Sequence, residues 1–380
     1  MRSRFCAAAL AGLAVSGVAA GQATAQDDAP PTVEFGARAF IDYVEVDGDR
    51  QTGADFEDQD IRLRLGRVWA QGDLTDRLSY KAELDFGLED VVWQDVYLAL
   101  ELTESTKLTV GNIKTLSLEN LTSDAVTTFM ERGPYNDVLG LGRLVSLEAK
   151  TGGDNWTAAA AVTGESLNDI DTQPQQVGVS LRGTFAPLIA DRQKAHLGAW
   201  VRQRDRDAPS RLNYRARPNT NFGPRFVSTS SFGESDTTLA LEGAYVNGPF
   251  SLQGEWAHID VDGTGRDAEL STWYAYGSWF VTGQSRRYRP EAGRFDRVKV
   301  ENPVTKGGLG AIELALRYDV ADLSDAPGGG EYSGWTLGAN WHLTSNTRVM
   351  VNYTDAENDN VAPGADVDAQ VAQVRFQFEF

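Results

Sequence analysis

The chain has one cysteine, Cys6, and three histidines, His196, His258 and His342, in 380 residues. A single thiol cannot build a disulfide scaffold. Three dispersed histidines give little material for a catalytic triad, and no serine signature surrounds any of them. Positive charge is also scarce: 35 Lys plus Arg stand against 54 Asp plus Glu, for a formal charge of -19. With no long basic run to invert that field locally, a polybasic nucleic-acid binder is excluded. Long apolar runs are missing too. A helical span needs about 20 such residues, and only residues 5–20 approach that.

That one run has the grammar of an export leader. Arg2 and Arg4 precede it, and Ala23-Thr24-Ala25 then Gln26-Asp27-Asp28 follow it. A basic start, a short apolar segment and an A-x-A site define a cleaved secretory signal, so we expect a signal peptide at 1–25 and a short tail at 26–32. Cys6 sits at the start of the apolar segment, away from the cleavage site, and does not mark a lipid anchor. Its removal leaves a mature chain without cysteine, suited to an oxidising compartment.

From residue 33 to the end, the pattern has a period of two. Ile61, Leu63 and Leu65 alternate with Arg62 and Arg64; Tyr80, Ala82, Leu84 and Phe86 alternate with Lys81, Glu83 and Asp85. Ile312, Leu314, Leu316 and Tyr318 alternate with Glu313 and Arg317, and Val374, Phe376, Phe378 and Phe380 alternate with Arg375, Gln377 and Glu379. Successive strand side chains point to opposite faces, so strand after strand has one apolar and one charged side. Turn-rich stretches such as Gly152-Gly153-Asp154-Asn155 and Asn247-Gly248-Pro249 separate them. At roughly 22 residues per strand and connection, 33–380 holds about 16 strands long enough to cross a membrane. No composition break marks a second domain.

A propeller or sandwich would bury its apolar faces against another layer. Here the charged faces recur too regularly for that. Lipid outside and water inside describes an all-β, antiparallel transmembrane barrel. Trp69, Trp93, Tyr97, Tyr245, Trp256, Trp273 and Tyr353 fall near strand ends, where interfacial girdles form, and the chain ends on the aromatic Phe380.

Three ordered blocks resemble the phosphate-selective porin O and P family of Gram-negative outer membranes, over nearly the whole mature chain. The first runs from Trp273-Tyr274 through Phe280-Val281-Thr282-Gly283-Gln284-Ser285-Arg286 to Gly310-Ala311-Ile312-Glu313-Leu314-Ala315-Leu316-Arg317-Tyr318. The second is Gly111-Asn112-Ile113-Lys114, then Leu118-Glu119-Asn120-Leu121 and Thr128-Phe129-Met130-Glu131-Arg132. The third is Glu242-Gly243-Ala244-Tyr245 followed by Gly248-Pro249-Phe250-Ser251-Leu252-Gln253-Gly254-Glu255. The resemblance implies a homotrimeric porin whose third long loop folds into the lumen. Residues 115–141 suit that loop: they are irregular, yet apolar at Leu116, Leu118, Leu121, Phe129 and Met130, and such a segment needs a wall to pack against.

The expected function is a water-filled channel for passive diffusion of small anions such as phosphate or polyphosphate, with outer-membrane lipid and lipopolysaccharide as surroundings and no cofactor or metal. Mature-chain arginine outnumbers lysine 26 to 7, and Arg grips oxyanions in a fork without risk of deprotonation. Arg62, Arg64, Lys81, Arg202, Arg204, Arg215, Arg217 and Arg317 have lumen parity as an anion ladder. Lys114 is supported by the resemblance, and Arg132 lies in the inward loop. Asp58, Asp60, Glu83 and Asp85 have the same parity, so a general or cation-preferring porin stays open, as do a structural or adhesive barrel and an outer-membrane hydrolase. A second basic cluster, Arg286, Arg287, Arg289, Arg294, Arg297 and Lys299, is expected on a long loop, drawing anions to the mouth or binding lipopolysaccharide phosphates. The acidic stretch Asp355-Ala356-Glu357-Asn358-Asp359-Asn360 is expected to be a hydrated outer loop.

Overall fold

The computed structural model describes residues 30–87, 90–169, 176–206, 211–360, 362 and 364–380. The expected leader at 1–25 lies outside them. Sixteen antiparallel strands form one closed barrel in which every strand pairs with its neighbours in sequence. Glu34–Arg50, Phe56–Thr75, Leu78–Asp85, Val92–Glu101 and Thr106–Ile113 come first; Leu144–Gly152, Trp156–Thr163, Gln176–Ile189 and Gln193–Arg206 follow. Gly233–Asn247, Phe250–Gly263 and Ala268–Phe280 lead to Ala311–Asp322, Gly330–His342, Thr347–Asn360 and Val367–Glu379. The last pairs with the first, Ile41 opposite Phe376 and Asp42 opposite Arg375. Closure satisfies every strand edge, which lipid requires.

The alternation is as the charge pattern dictates. On Ala311–Asp322, Leu314 and Leu316 face outward at 44% and 45% exposure, while Arg317 and Asp319 face inward at 0%. Among the described residues nothing covers these outward apolar side chains, which suits a lipid-facing surface. Leu316→Arg, near the middle of its strand, is therefore expected to cost about 2–4 kcal/mol, measured by denaturant unfolding of barrels folded into lipid vesicles.

One irregularity overrides simple parity. Phe40 pairs with Leu65 and Ile41 with Leu63, leaving Arg64 as an extra residue. A bulge of this kind shifts which side chains face in. Arg62 and Arg64 are inward before it; Leu65, Arg67 and Trp69 are inward after it. Trp69 was expected in a membrane girdle. Instead the Arg38 and Lys81 charges lie 5.6 and 5.5 Å from its ring inside the barrel. Trp93, Tyr245, Trp256 and Tyr353 do face outward.

Six short turns, such as 76–77 and 248–249, share one rim with the start of the first strand and the end of the last, and the other rim carries mostly longer loops. Short turns face the periplasm in such barrels. One loop was expected to enter the lumen, but three segments do. Residues 114–143 and 211–232 enter from the long-loop rim, and 281–310 enters from the short-turn rim. Arg215 and Arg217 thus belong to a folded-in loop, with the hairpin Arg215–Ala216 and Val227–Ser228, instead of a barrel strand. The basic cluster at 286–299 lies on the 281–310 segment at the short-turn rim, with its own hairpin Arg287–Arg289 and Arg294–Asp296. Asp355 to Asn360 is the end of a strand, not a loop.

The inner wall turns apolar where these segments rest on it. Val44, Val46, Ala369 and Val371 are buried under Phe226, with Phe222 alongside. Those positions break the polar-inside rule because a loop, not water, covers them.

Candidate pore constriction

Residues 114–143 are shaped by two short helices, Leu118–Leu121 and Gly133–Val138. The Ser117 side chain caps the first by accepting from the Asn120 amide at 3.2 Å. Pro134 starts the second, after Gly133 in a left-handed conformation (φ 70°). A Cβ at Gly133 would stand 2.2 Å from Asn219 Oδ1 and 2.8 Å from Arg317, so glycine is required twice over.

These elements are too short to hold the loop, so the wall does it. Glu255 accepts the amides of Leu118 and Glu119 at 3.1 and 2.8 Å. Arginines serve the loop's carbonyls: Arg202 donates to Leu139 at 2.9 Å, Arg317 to Arg132, Arg348 to Thr127 and Arg375 to Met130, each of the last three at 2.7 Å. Asn340 and Gln377 donate to Thr128 and Ala125 at 2.8 and 3.0 Å. Phe129 packs edge-on against Tyr276 at 5.3 Å. Buried carbonyls need donors, and five fixed donors per guanidinium make Arg suited to supplying them.

Between this loop and the wall of Glu34–Arg50 and Phe56–Thr75 lies a cavity of about 160 Å³. Arg64, Arg67, Lys114, Arg132, Arg143 and Arg375 line it, with only Asp124 and Glu131 as carboxylates. Arg64 forks onto Glu131 at 2.9 and 2.8 Å. Arg67 meets Asp124 at 2.6 Å, and Arg132 pairs with the same carboxylate. Burial alone would raise the Glu131 pKa, but Arg64 and Arg375 hold it down at about 2. Arg132, Lys114 and Arg67 likewise outweigh burial and keep Asp124 well below the ordinary range. Lys114 moves the other way. Burial, then the neighbouring Arg132, Arg143 and Arg67, push its pKa well below normal despite Asp124. Its ammonium donates to the Asn120 carbonyl at 3.0 Å and stands 3.7 Å from Asp124.

Above, on the long-loop side, is a vestibule of about 640 Å³. Arg202, Arg204, Arg206, Arg211, Arg215 and Arg225 line it against Asp137, Glu165 and Asp169. Vestibule and constriction meet at Asn136, Leu141 and Gly142, which line both. A second cavity of about 160 Å³, lined by Arg64, Arg132, Asp137 and Arg217, joins them.

The ten expected lumen cations thus divide. Arg64, Lys114 and Arg132 converge at the constriction, with Arg217 in the adjoining cavity. Arg202, Arg204 and Arg215 belong to the vestibule, although Arg202 also braces the loop and Arg204 is forked onto Asp236. Arg62 donates to the Asn221 carbonyl at 3.3 Å and lies 5.1 Å from the Phe222 ring, so it holds the 211–232 loop. Lys81 is tied to Glu83 at 2.7 Å and Asp95 at 3.2 Å. Arg317 is not an open rung: with 0% exposure it is engaged by Asp319 at 2.7 Å and Glu119 at 3.0 Å. Asp58 is exposed, whereas Glu83 and Asp85 are buried against Arg67. Parity arguments missed Arg67 because the bulge reverses its face. Arg143 and Arg225 lie in irregular segments without a period to read. Arg375 had the correct parity, and its alternation with Phe376 was the available signal.

From the opposite rim, the 281–310 segment reaches the underside of the loop. Arg294 donates to the Leu121 carbonyl at 3.2 Å. Arg182 and Lys150 hold its tip by the carbonyls of Gly293 and Ala292, each at 3.0 Å. His196 bridges Tyr288 and Glu242 at 2.5 and 3.0 Å, a wall-to-hairpin tie.

A closed sixteen-stranded barrel with a basic, loop-built constriction invites comparison with channels. The phosphate-selective porin O and P family matches residues 33–380. The chain belongs to that family. An uncharacterized protein of Caulobacter vibrioides is 28% identical over 369 residues, spanning 90% of this chain and 73% of its own. Porin O of Pseudomonas aeruginosa is 28% identical over 258 residues, 58% of this chain and 57% of its own. Among solved structures, the trimer form of OmpT, an outer membrane protein of Vibrio cholerae, superposes with a TM-score of 0.58 at 12% identity, covering 93% of this chain and 100% of that one. An anion-selective porin from Comamonas acidovorans gives 0.53 at 13%, covering 92% and 100%. At such identities these two speak for the fold, which is that of outer-membrane porins. This porin is accordingly an outer-membrane channel.

Proposed function

We propose that this porin passes small oxyanions, phosphate-like solutes among them, by passive diffusion. The lining of the constriction carries the reading: six cationic side chains face the cavity against two carboxylates, both already paired with arginine. An anion would shed part of its hydration to guanidinium donors in the vestibule, then in the constriction. Conduction requires that no rung bind so tightly as to stop release. The family description and the Comamonas neighbour point the same way. Export after cleavage at Ala25 would deliver the chain to the outer membrane, and assembly as a homotrimer follows the porins it resembles.

A general porin is the second reading, favoured by one observation. Asp42, Glu83, Asp85 and Asp95 stand just behind the constriction arginines and pair with Arg375, Arg67, Lys81 and Arg143, so the local charge is nearly balanced. Reversal potentials in planar bilayers under a salt gradient decide between them. The expected result is stepwise conductance with anions more permeant than cations. A cation preference would leave a general porin, and no conductance at any voltage would favour a structural barrel.

A further inference from the structure

We propose that Asp137 is a specificity-determining residue of this pore: a carboxyl at the neck between the vestibule and the cavity adjoining the constriction, whose charge state sets how strongly the passage favours anions. The inference rests on the channel reading and adds a site the cation ladder does not contain. Asp137 lines both the vestibule and the adjoining cavity, and Asn136 is the one other residue shared by those two linings. A solute that takes this route passes this side chain, whereas the direct contact of vestibule and constriction is lined by Asn136, Leu141 and Gly142.

The helix Gly133–Val138 aims the carboxyl at the neck. On the facing 211–232 segment, the Arg217 amide donates to it at 3.3 Å, and the Arg225 charge acts on it nearby. Arg215 shares the vestibule lining, and Glu131 and Arg132 on its own loop share the other cavity. Behind the helix, the wall offers Arg317, Asp319, Tyr274 and Tyr332, and the first two are locked to each other. Unlike Asp124 and Glu131, Asp137 has no ion pair with a guanidinium among the described residues. It is thus the carboxylate at the neck whose charge no direct ion pair cancels.

Burial pushes the Asp137 pKa up to about 6 against the pull of Arg225 and Arg217. A raised carboxyl pKa means charged above that pH and neutral below it. Repulsion of anions is then present at neutral pH and lifted as pH falls through the window.

The test is the anion-to-cation permeability ratio from bilayer reversal potentials. For the parent, the ratio is expected to rise about twofold or more between pH about 7.5 and about 5. Asp137→Asn should show the high ratio at both pH values. A variant that keeps the parent's pH response, or leaves the neutral-pH ratio unaltered, overturns the assignment. If Asp137→Asn does not insert, Asp137→Cys serves, because Cys6, the chain's single thiol, lies in the leader. Modification with an anionic methanethiosulfonate should lower the ratio and a cationic one raise it; equal ratios after both reagents overturn the proposal. A cation-preferring parent whose Asp137→Asn variant still shifts toward anions and loses its pH response would sustain the neck site while removing the anion reading.

Discussion

Arg317→Ala is expected to release the constriction loop and raise single-channel conductance by roughly twofold or more, with loss of ion preference. The side chain is fully buried and is the common partner of Asp319 on the wall, Glu119 on the loop and the Arg132 carbonyl. Its removal leaves two buried carboxylates without their counter-charge. Breaking a buried pair in this way costs about 3–5 kcal/mol. The sixteen-strand hydrogen-bond ladder does not depend on Arg317, so the energy is recovered by lifting the loop into water. Conductance steps and protease sensitivity of the loop measure this. A triple variant, Arg317→Met with Glu119→Gln and Asp319→Asn, should restore resistance, since no bare charge remains. Unchanged conductance in Arg317→Ala would mean that the remaining carbonyl donors, Arg202, Arg348 and Arg375, hold the loop without it.

Lys114→Glu should have the largest effect on selectivity, lowering the anion-to-cation permeability ratio by about tenfold, because a carboxylate replaces an amine inside a narrow, poorly hydrated cavity. Lys114 contributes few structural contacts, a hydrogen bond to Asn120 and a long approach to Asp124, so the loop should stay in place. Its depressed pKa also predicts a pH profile. A lysine lowered by burial and by neighbouring arginines is charged below its shifted pKa and neutral above it. Lys114's contribution to anion preference should therefore fall as pH rises, below the range of about 10 where an ordinary lysine titrates. Lys114→Arg should retain the preference through that window. A wild-type profile flat to that range would show that Lys114 adds nothing to the anion path.

The period-two alternation made the barrel legible because lipid and water impose it residue by residue: Leu316 outward and Arg317 inward follow from one peptide step. The same reasoning could not separate a guanidinium that faces water from one that faces a folded-in loop. Arg317 and Lys114 look alike as lumen cations in sequence. One is sealed between two carboxylates and a carbonyl, whereas the other borders the open cavity. The basic cluster from Arg286 to Lys299 was visible as a cluster, but its rim depends on counting strands, and its contact with Leu121 depends on where the loop ends.

What the chain encoded locally was the closed barrel, its inside and outside, and the presence of one loop too apolar for free solvent. Which cations stand open and which brace the loop, where Arg64 displaces the register and turns Trp69 inward, and how three segments meet in one lumen were decided only by packing. Alternation is a property of neighbouring residues, while pairing between Arg375 and Asp42 joins residues 333 positions apart, a distance across which no sequence period carries information.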